Sequence, residues 1–127
     1  MASAYSEVFT DHLTSPRNMG ELPDANGVGA ETNPVCGDIM KLAIKVEDGA
    51  IAEARYVIKG CTASIAAASM LTELIIGRPL DEARAVKNTD IEEALGGLPL
   101  AKLHSAVLAA GALRRALANY AAQRSSP

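Results

Sequence analysis

Two thiols, one carboxylate and one imidazole stand where the regular elements of this chain are expected to begin or end. Cys36 and Asp38 flank Gly37 in Asn33-Pro34-Val35-Cys36-Gly37-Asp38, Cys61 sits in Gly60-Cys61-Thr62, and His104 lies in Leu103-His104-Ser105. These are the side chains that bind zinc or iron. Residues at i and i+2 of an extended backbone point to the same side, which would let Cys36 and Asp38 reach one ion. Gly37 lets the backbone between them bend close to a bound group. Cys61 directly precedes an expected helix, whose positive end favours thiolate, the form that binds metal or attacks sulfur.

Each residue also has a plainer reading. A free cysteine often merely packs. An aspartate in such a setting is commonly a turn or cap residue. A histidine at a helix start is commonly a surface or capping group. The C-x-D spacing is a weaker signal than a pair of C-x₂-C motifs. What favours chemistry is that both cysteines of the chain adjoin a glycine at a segment junction. His12 lies on an otherwise apolar helical face and is expected to be structural.

The elements that must position these groups follow from periodicity. Tyr5, Val8, Phe9, His12 and Leu13 mark a short amphipathic helix over 4–13, ended before Pro16. Residues 14–37 are rich in Gly, Pro, Asn and Asp and read as loop, with a short strand near 28–33. Met40, Leu42, Ile44 and Val46 alternate with Lys41, Ala43 and Lys45, the pattern of a half-buried strand. Asp48-Gly49 signals a hairpin into a second strand over 51–59, with Ala54, Tyr56 and Ile58 on one face. Residues 63–76 are apolar on most sides and predict a buried helix, closed by Gly77 and Pro79. A short polar helix over 80–86 follows, then a capping box at Thr89-Asp90-Ile91-Glu92. After Gly96-Gly97-Leu98-Pro99 a last helix over 101–123 should turn Leu103, Val107, Ala110, Leu113, Leu117 and Tyr120 inward. The expected fold is α+β: a small antiparallel sheet of about three strands, packed on one face by helices, with a long C-terminal helix.

Length and composition bound the function. The 127 residues fit one domain spanning 1–127. With no Trp and a single Phe, the core must be built from Ala, Leu, Ile and Val. The net charge of −3 comes with no basic run, which argues against nucleic acid as a partner. No apolar run approaches a membrane span. The N-terminus lacks the pattern of a signal peptide, so the expected location is cytoplasmic and paired thiols are expected to be reduced and metal-binding or chemical.

Together these motifs resemble the IscU/NifU-type iron–sulfur cluster assembly scaffolds over nearly the whole chain. Tyr5…Asp11-His12…Pro16-Arg17-Asn18…Gly20 is similar to the family's opening pattern. Cys36-Gly37-Asp38-Ile39-Met40-Lys41-Leu42 is similar to its first ligand motif, and Gly60-Cys61-Thr62-Ala63-Ser64 to its second. Lys87-Asn88-Thr89-Asp90-Ile91 matches a further signature, and Leu98-Pro99-Leu100-Ala101-Lys102-Leu103-His104 occupies the place of the third. The resemblance implies a non-enzymatic scaffold on which a [2Fe–2S] cluster is built and released to apo iron–sulfur proteins. Sulfur would come from a PLP-dependent cysteine desulfurase. Cys36, Cys61 and His104 would hold iron or the cluster, with Asp38 a harder oxygen ligand that weakens retention.

The chain departs from the family pattern twice. Ser105 stands where the family has its third ligand cysteine, and a serine hydroxyl is a poor ligand. The family's chaperone-recognition segment reads Leu-Pro-Pro-Val-Lys, and Leu98–Lys102 differs from it at two positions, which counts against chaperone binding there. Two rival readings follow from the missing thiol. One is a zinc module closed by Cys36, Asp38, Cys61 and His104. The other is a sulfur-transfer protein that uses Cys61 as a persulfide carrier.

Overall fold

Alternating apolar residues do build the sheet. The computed structural model describes residues 6–34 and 37–125. Three antiparallel strands lie in the order β1 (Gly27–Thr32), β2 (Ile39–Glu47), β3 (Ala50–Lys59). Met40, Leu42, Ile44 and Val46 of β2 and Ile51, Ala54 and Tyr56 of β3 are buried on one face. The β2–β3 hairpin turns at Asp48 and Gly49, with φ of 53° and 77°. Two consecutive positive φ values match the right-handed strand twist, and an Asp-Gly pair adopts them readily.

Helices cover that face. Helix α1 (Glu7–Thr14) starts at Ser6, whose hydroxyl accepts from the Phe9 N–H at 3.0 Å. Helix α2 (Thr62–Ile75) is buried on nearly all sides, and α3 (Leu80–Arg84) and α4 (Asn88–Ala94) are short. One 3₁₀ turn (Leu100–Lys102) leads into the long α5 (Leu103–Ser125). Gly77, with φ 87°, follows the last turn of α2 as expected, and its N–H donates to the Ile51 carbonyl, tying the helix exit to β3.

Strand β1 and α5 approach too closely for side chains between them. A Cβ at Gly27 would fall 2.8 Å from the Ala116 carbonyl oxygen, and one at Gly29 would meet the backbone of Arg115 and Ala116. These glycines let the long helix press on the sheet edge, and His104 in the first turn of α5 borders the same hollow as Thr32 and Asn33 at the end of β1.

The α+β architecture with a long C-terminal helix is as expected. Three details differ. Val107 is 51% exposed, because α5 is embraced by the sheet and α2 on a face that excludes it. Val8 is likewise exposed on α1. The start of α4 lies earlier than expected: Lys87 is its N-cap residue, and its N–H donates to Asp90 Oδ2 at 2.8 Å. Asp90 thus serves as the acceptor, and Thr89 lies inside the helix. Tyr5 lies outside the described residues.

Candidate metal centre

The junctions that hold the chemical residues converge. Asp38 immediately precedes β2, Cys61 is the N-cap of α2, and His104 lies in the first turn of α5. One ligand atom from each of Asp38, Cys61 and His104 can be chosen so that all three lie within 4.8 Å of one another. Zinc bonds of ordinary length in a tetrahedron would set such atoms roughly 3.5 Å apart, so a small inward closure suffices. Asp38 is buried, whereas Cys61 and His104 are half-exposed. A soft thiolate, a borderline imidazole and a hard carboxylate on one rim suit a borderline cation such as zinc or ferrous iron.

The β1–β2 connection folds tightly. The Asn33 N–H donates to the Asp38 carbonyl at 2.8 Å, and the Gly37 N–H donates to the Asn33 carbonyl at 2.7 Å. Gly37 has φ 75°, a left-handed conformation that suits glycine. An extended C-x-D segment, the sequence expectation, is therefore not what precedes Asp38: the chain turns at Gly37. Cys36 itself lies outside the described residues.

Around Asp38 the site is closely built. The Ser64 hydroxyl donates to Asp38 Oδ2 at 2.8 Å, and the Cys61 N–H lies 3.5 Å from the same oxygen. A Cβ at Gly60 would fall 2.6 Å from Asp38 Cγ, so only glycine there lets the carboxyl group lie against the strand–helix joint. Burial pushes the Asp38 carboxyl up. The bonds from Ser64 and Cys61, aided by His104, outweigh that and hold it below the usual carboxylate range. Asp38 is thereby kept as an anion inside the fold.

Ser105 is fully buried, not on the rim. Its Oγ lies 3.8 Å from Cys61 Sγ and 3.3 Å from Ser64 Oγ. Cys61 Sγ is in turn 3.4 Å from Ser64 Oγ. The site is thus a cluster of five described side chains: Asp38, Cys61, Ser64, His104 and Ser105. Ser64 carried no role in the sequence reading. Beyond closing the Gly60–Ser64 motif, its signal was its place three residues after Cys61, one helical turn on, where a side chain comes back over the helix start.

His12 belongs elsewhere. It is buried, its Nδ1 lies 2.7 Å from Ser69 Oγ and its Nε2 2.9 Å from Glu73 Oε1. The Ser69 oxygen also accepts from the Arg17 N–H at 2.9 Å. A serine, a histidine and a carboxylate in contact invite comparison with a hydrolytic triad. The serine is fully buried and already engaged, so the group clamps α1 and the following loop onto α2.

The sequence model of the NifU-like N terminal domain family matches residues 4–126. The chain is 48% identical over 125 residues to the iron–sulfur cluster assembly scaffold protein IscU of Escherichia coli, covering 95% of this chain and 97% of that protein. It is 47% identical over 116 residues to iron–sulfur cluster assembly scaffold protein IscU 1 of Archaeoglobus fulgidus, covering 91% and 76%. The fold is also that of the N-terminal part of a nitrogen-fixing NifU-like protein of Brucella abortus, with a TM-score of 0.74, 16% identity and 95% of each chain covered. Family model and relatives together place the chain in the IscU/NifU family of iron–sulfur cluster assembly scaffolds.

Proposed function

We propose that this chain is an iron–sulfur cluster assembly scaffold: it binds iron or a [2Fe–2S] cluster as cargo and passes it to apo-proteins. One observation carries the reading. Three elements distant in sequence deliver a carboxylate, a thiol and an imidazole to within 4.8 Å, in a family whose relatives are named as such scaffolds. Cys36, two positions before Asp38 in the sequence, supplies the second thiolate. The four ligands are Cys36, Asp38, Cys61 and His104, with cluster binding through Cys36, Cys61 and His104.

Scaffolding asks for capture and release, not for turnover, so the protein works as a carrier and not as an enzyme. A hard carboxylate in a largely soft site loosens a cluster. Half-exposed Cys61 and His104 leave the cargo accessible to a cysteine desulfurase that delivers sulfur and to an apo-protein that takes the product. The setting is cytoplasmic. Among the described residues no helix is long and apolar enough to cross a membrane. In the chaperone segment Leu98–Lys102, Leu100 is 88% exposed. Its difference from the family pattern still counts against chaperone docking there.

A second reading rests on Ser105. With a buried hydroxyl in place of a third thiol, the same four ligands close a structural zinc site. Anaerobic purification followed by elemental analysis and visible spectroscopy tests both. Reconstitution with iron, sulfide and thiol should give a coloured protein with iron and sulfide in equal amounts. A colourless protein that keeps one zinc through the same treatment would replace the scaffold by the zinc module.

A further inference from the structure

Ser64 stands at the centre of the cluster without being a ligand. It is fully buried and one turn into α2. A hydroxyl has a single proton, and at 2.8 Å that proton goes to Asp38 Oδ2. Its lone pairs then face the Ser105 hydroxyl at 3.3 Å and the Cys61 sulfur at 3.4 Å. The Ser64 hydroxyl thus contacts carboxylate, thiol and the residue at 105 at once.

Helix packing alone does not call for a serine here. Most neighbours of Ser64 on α2 are alanines: Ala63, Ala66, Ala67 and Ala68. Alanine fills the same space and is the better helix former. A buried hydroxyl in such a run costs desolvation unless it has partners. Its partners are two of the candidate ligands, and the free space that brings Asp38 to it comes from Gly60.

We infer that Ser64 is the positioning residue of the metal centre: by holding Asp38 Oδ2 it leaves the other carboxylate oxygen to bind the cation in a fixed, one-oxygen mode. This rests on the reading of Asp38 as a ligand. Carboxylates that bind metals are commonly held in this way, and loss of the holding group typically costs 10- to 100-fold in affinity. The same hydroxyl keeps the carboxyl group ordered before metal arrives, so little freedom is lost on binding.

The test is a double-mutant cycle read as zinc affinity, by competition with a chromophoric chelator, on protein shown to be folded by circular dichroism. Ser64→Ala should weaken zinc binding by about 10- to 100-fold, and Ser64→Thr, which keeps the hydroxyl, should restore most of it. In the Asp38→Ala background the further change Ser64→Ala should alter affinity by less than about threefold, because its target is gone. Unchanged affinity in Ser64→Ala, with Asp38→Ala clearly weakened, overturns the positioning role and leaves the metal centre standing. An equal loss from Ser64→Ala in both backgrounds also overturns it, since Ser64 would then act through something other than Asp38. If Asp38→Ala itself binds zinc normally, Asp38 is not a ligand and the inference falls with that reading. The cycle decides even where the threonine variant fails to fold.

Discussion

Helix α2 carries two buried polar clusters that look alike in composition and differ in what they can do. Near its start, Ser64 meets Asp38, Cys61 and Ser105, with His104 beside them. Five residues on, about 140° around the helix, Ser69 meets His12, and His12 meets Glu73. Each has a serine, a histidine and a carboxylate. In the second cluster the histidine has both nitrogens engaged and sits at 3% exposure. In the first the histidine is half-exposed and faces a thiol and a carboxylate at ligand spacing. A histidine between a hydroxyl and a carboxylate, sealed from solvent, is a clamp. A histidine sharing an open rim with soft and hard donors is free to serve as the ligand proposed for His104.

The largest separation between the two clusters should come from removing their central side chains. Cys61→Ala, and equally Cys36→Ala, should abolish tight zinc binding, since Asp38 and His104 alone make too few donors for a stable site. His12→Gln should leave zinc affinity within about twofold and instead lower stability by about 1–3 kcal/mol, the usual cost of disturbing a buried hydrogen-bonded group. Competition titration and urea denaturation of the metal-free proteins separate the two effects. Loss of zinc binding in His12→Gln, or its survival in either cysteine variant, would erase the distinction.

Asp38 sharpens the contrast through its sign. A carboxylate helps a borderline zinc ion but loosens a sulfide-bridged cluster, so Asp38→Ala should weaken zinc by at least the roughly 100-fold that loss of a group merely orienting a ligand can cost and lengthen the life of a reconstituted cluster. The cluster half is read from the decay of visible absorbance after exposure to air. Faster decay in the variant would mean that Asp38 retains the cluster.

The clamp should show itself through pH. Burial lowers the pKa of His12, and the Arg17 cation lowers it further; Glu73 and Asp11 pull the other way without winning. The folded pKa therefore lies below the reference 6.5. Between those two values the unfolded chain binds more protons than the folded one. The stabilisation is complete above pH 6.5 and is lost as pH falls toward the folded pKa. Metal-free protein should thus have a lower urea midpoint at pH 5.5 than at pH 7.5, and His12→Gln should flatten that slope. An unchanged slope in the variant would remove His12 as the cause.

Much of this was legible in the sequence because it depends on local pattern. Period-two alternation in 39–46 and 51–59, the Asp48-Gly49 turn and the apolar run of α2 are short-range signals, and the structure contains each of them. The assignment of His12 to structure came from its apolar face and agrees with its burial. Cys61 and His104 were marked by their junctions, and both reach the rim. What the sequence could not show was depth. Ser64 carried no role of its own and Ser105 was marked only as a missing thiol, and that both are buried shows only once α2 and α5 are packed together; Val107 read as core because helical period alone does not say how wide the covered face is. The turn at Gly37 escaped for a related reason: a C-G-D triplet is compatible with extended or left-handed glycine, and only the Asn33–Asp38 pairing decides.

Ser105 gives the smallest expected effect and the finest test of the comparison. Serine and cysteine differ by one atom, and on an exposed rim the exchange would cost little. The structure buries Ser105, with Cys61 Sγ at 3.8 Å and Ser64 Oγ at 3.3 Å. Ser105→Cys must therefore fit a larger sulfur into a closed space and gives up a hydroxyl contact to Ser64, at about 1 kcal/mol. It also sets a second sulfur beside Cys61, so reductant is required to keep the pair open. In return the cluster gains a third soft donor, placed behind the rim next to His104. The yield of reconstituted cluster should rise about twofold under reducing conditions, measured as bound iron and sulfide per chain, and zinc affinity should rise with it. Sulfur accepted from a cysteine desulfurase should increase as well, because a thiol is a nucleophile where a hydroxyl is not. Ser69→Cys is the control from the other cluster: it is equally buried and also beside a histidine, and it should change neither yield nor affinity. A gain in both variants would trace to added thiol alone. A gain confined to position 105 would tie cluster chemistry to the first cluster, and no gain in either would set position 105 outside the working site.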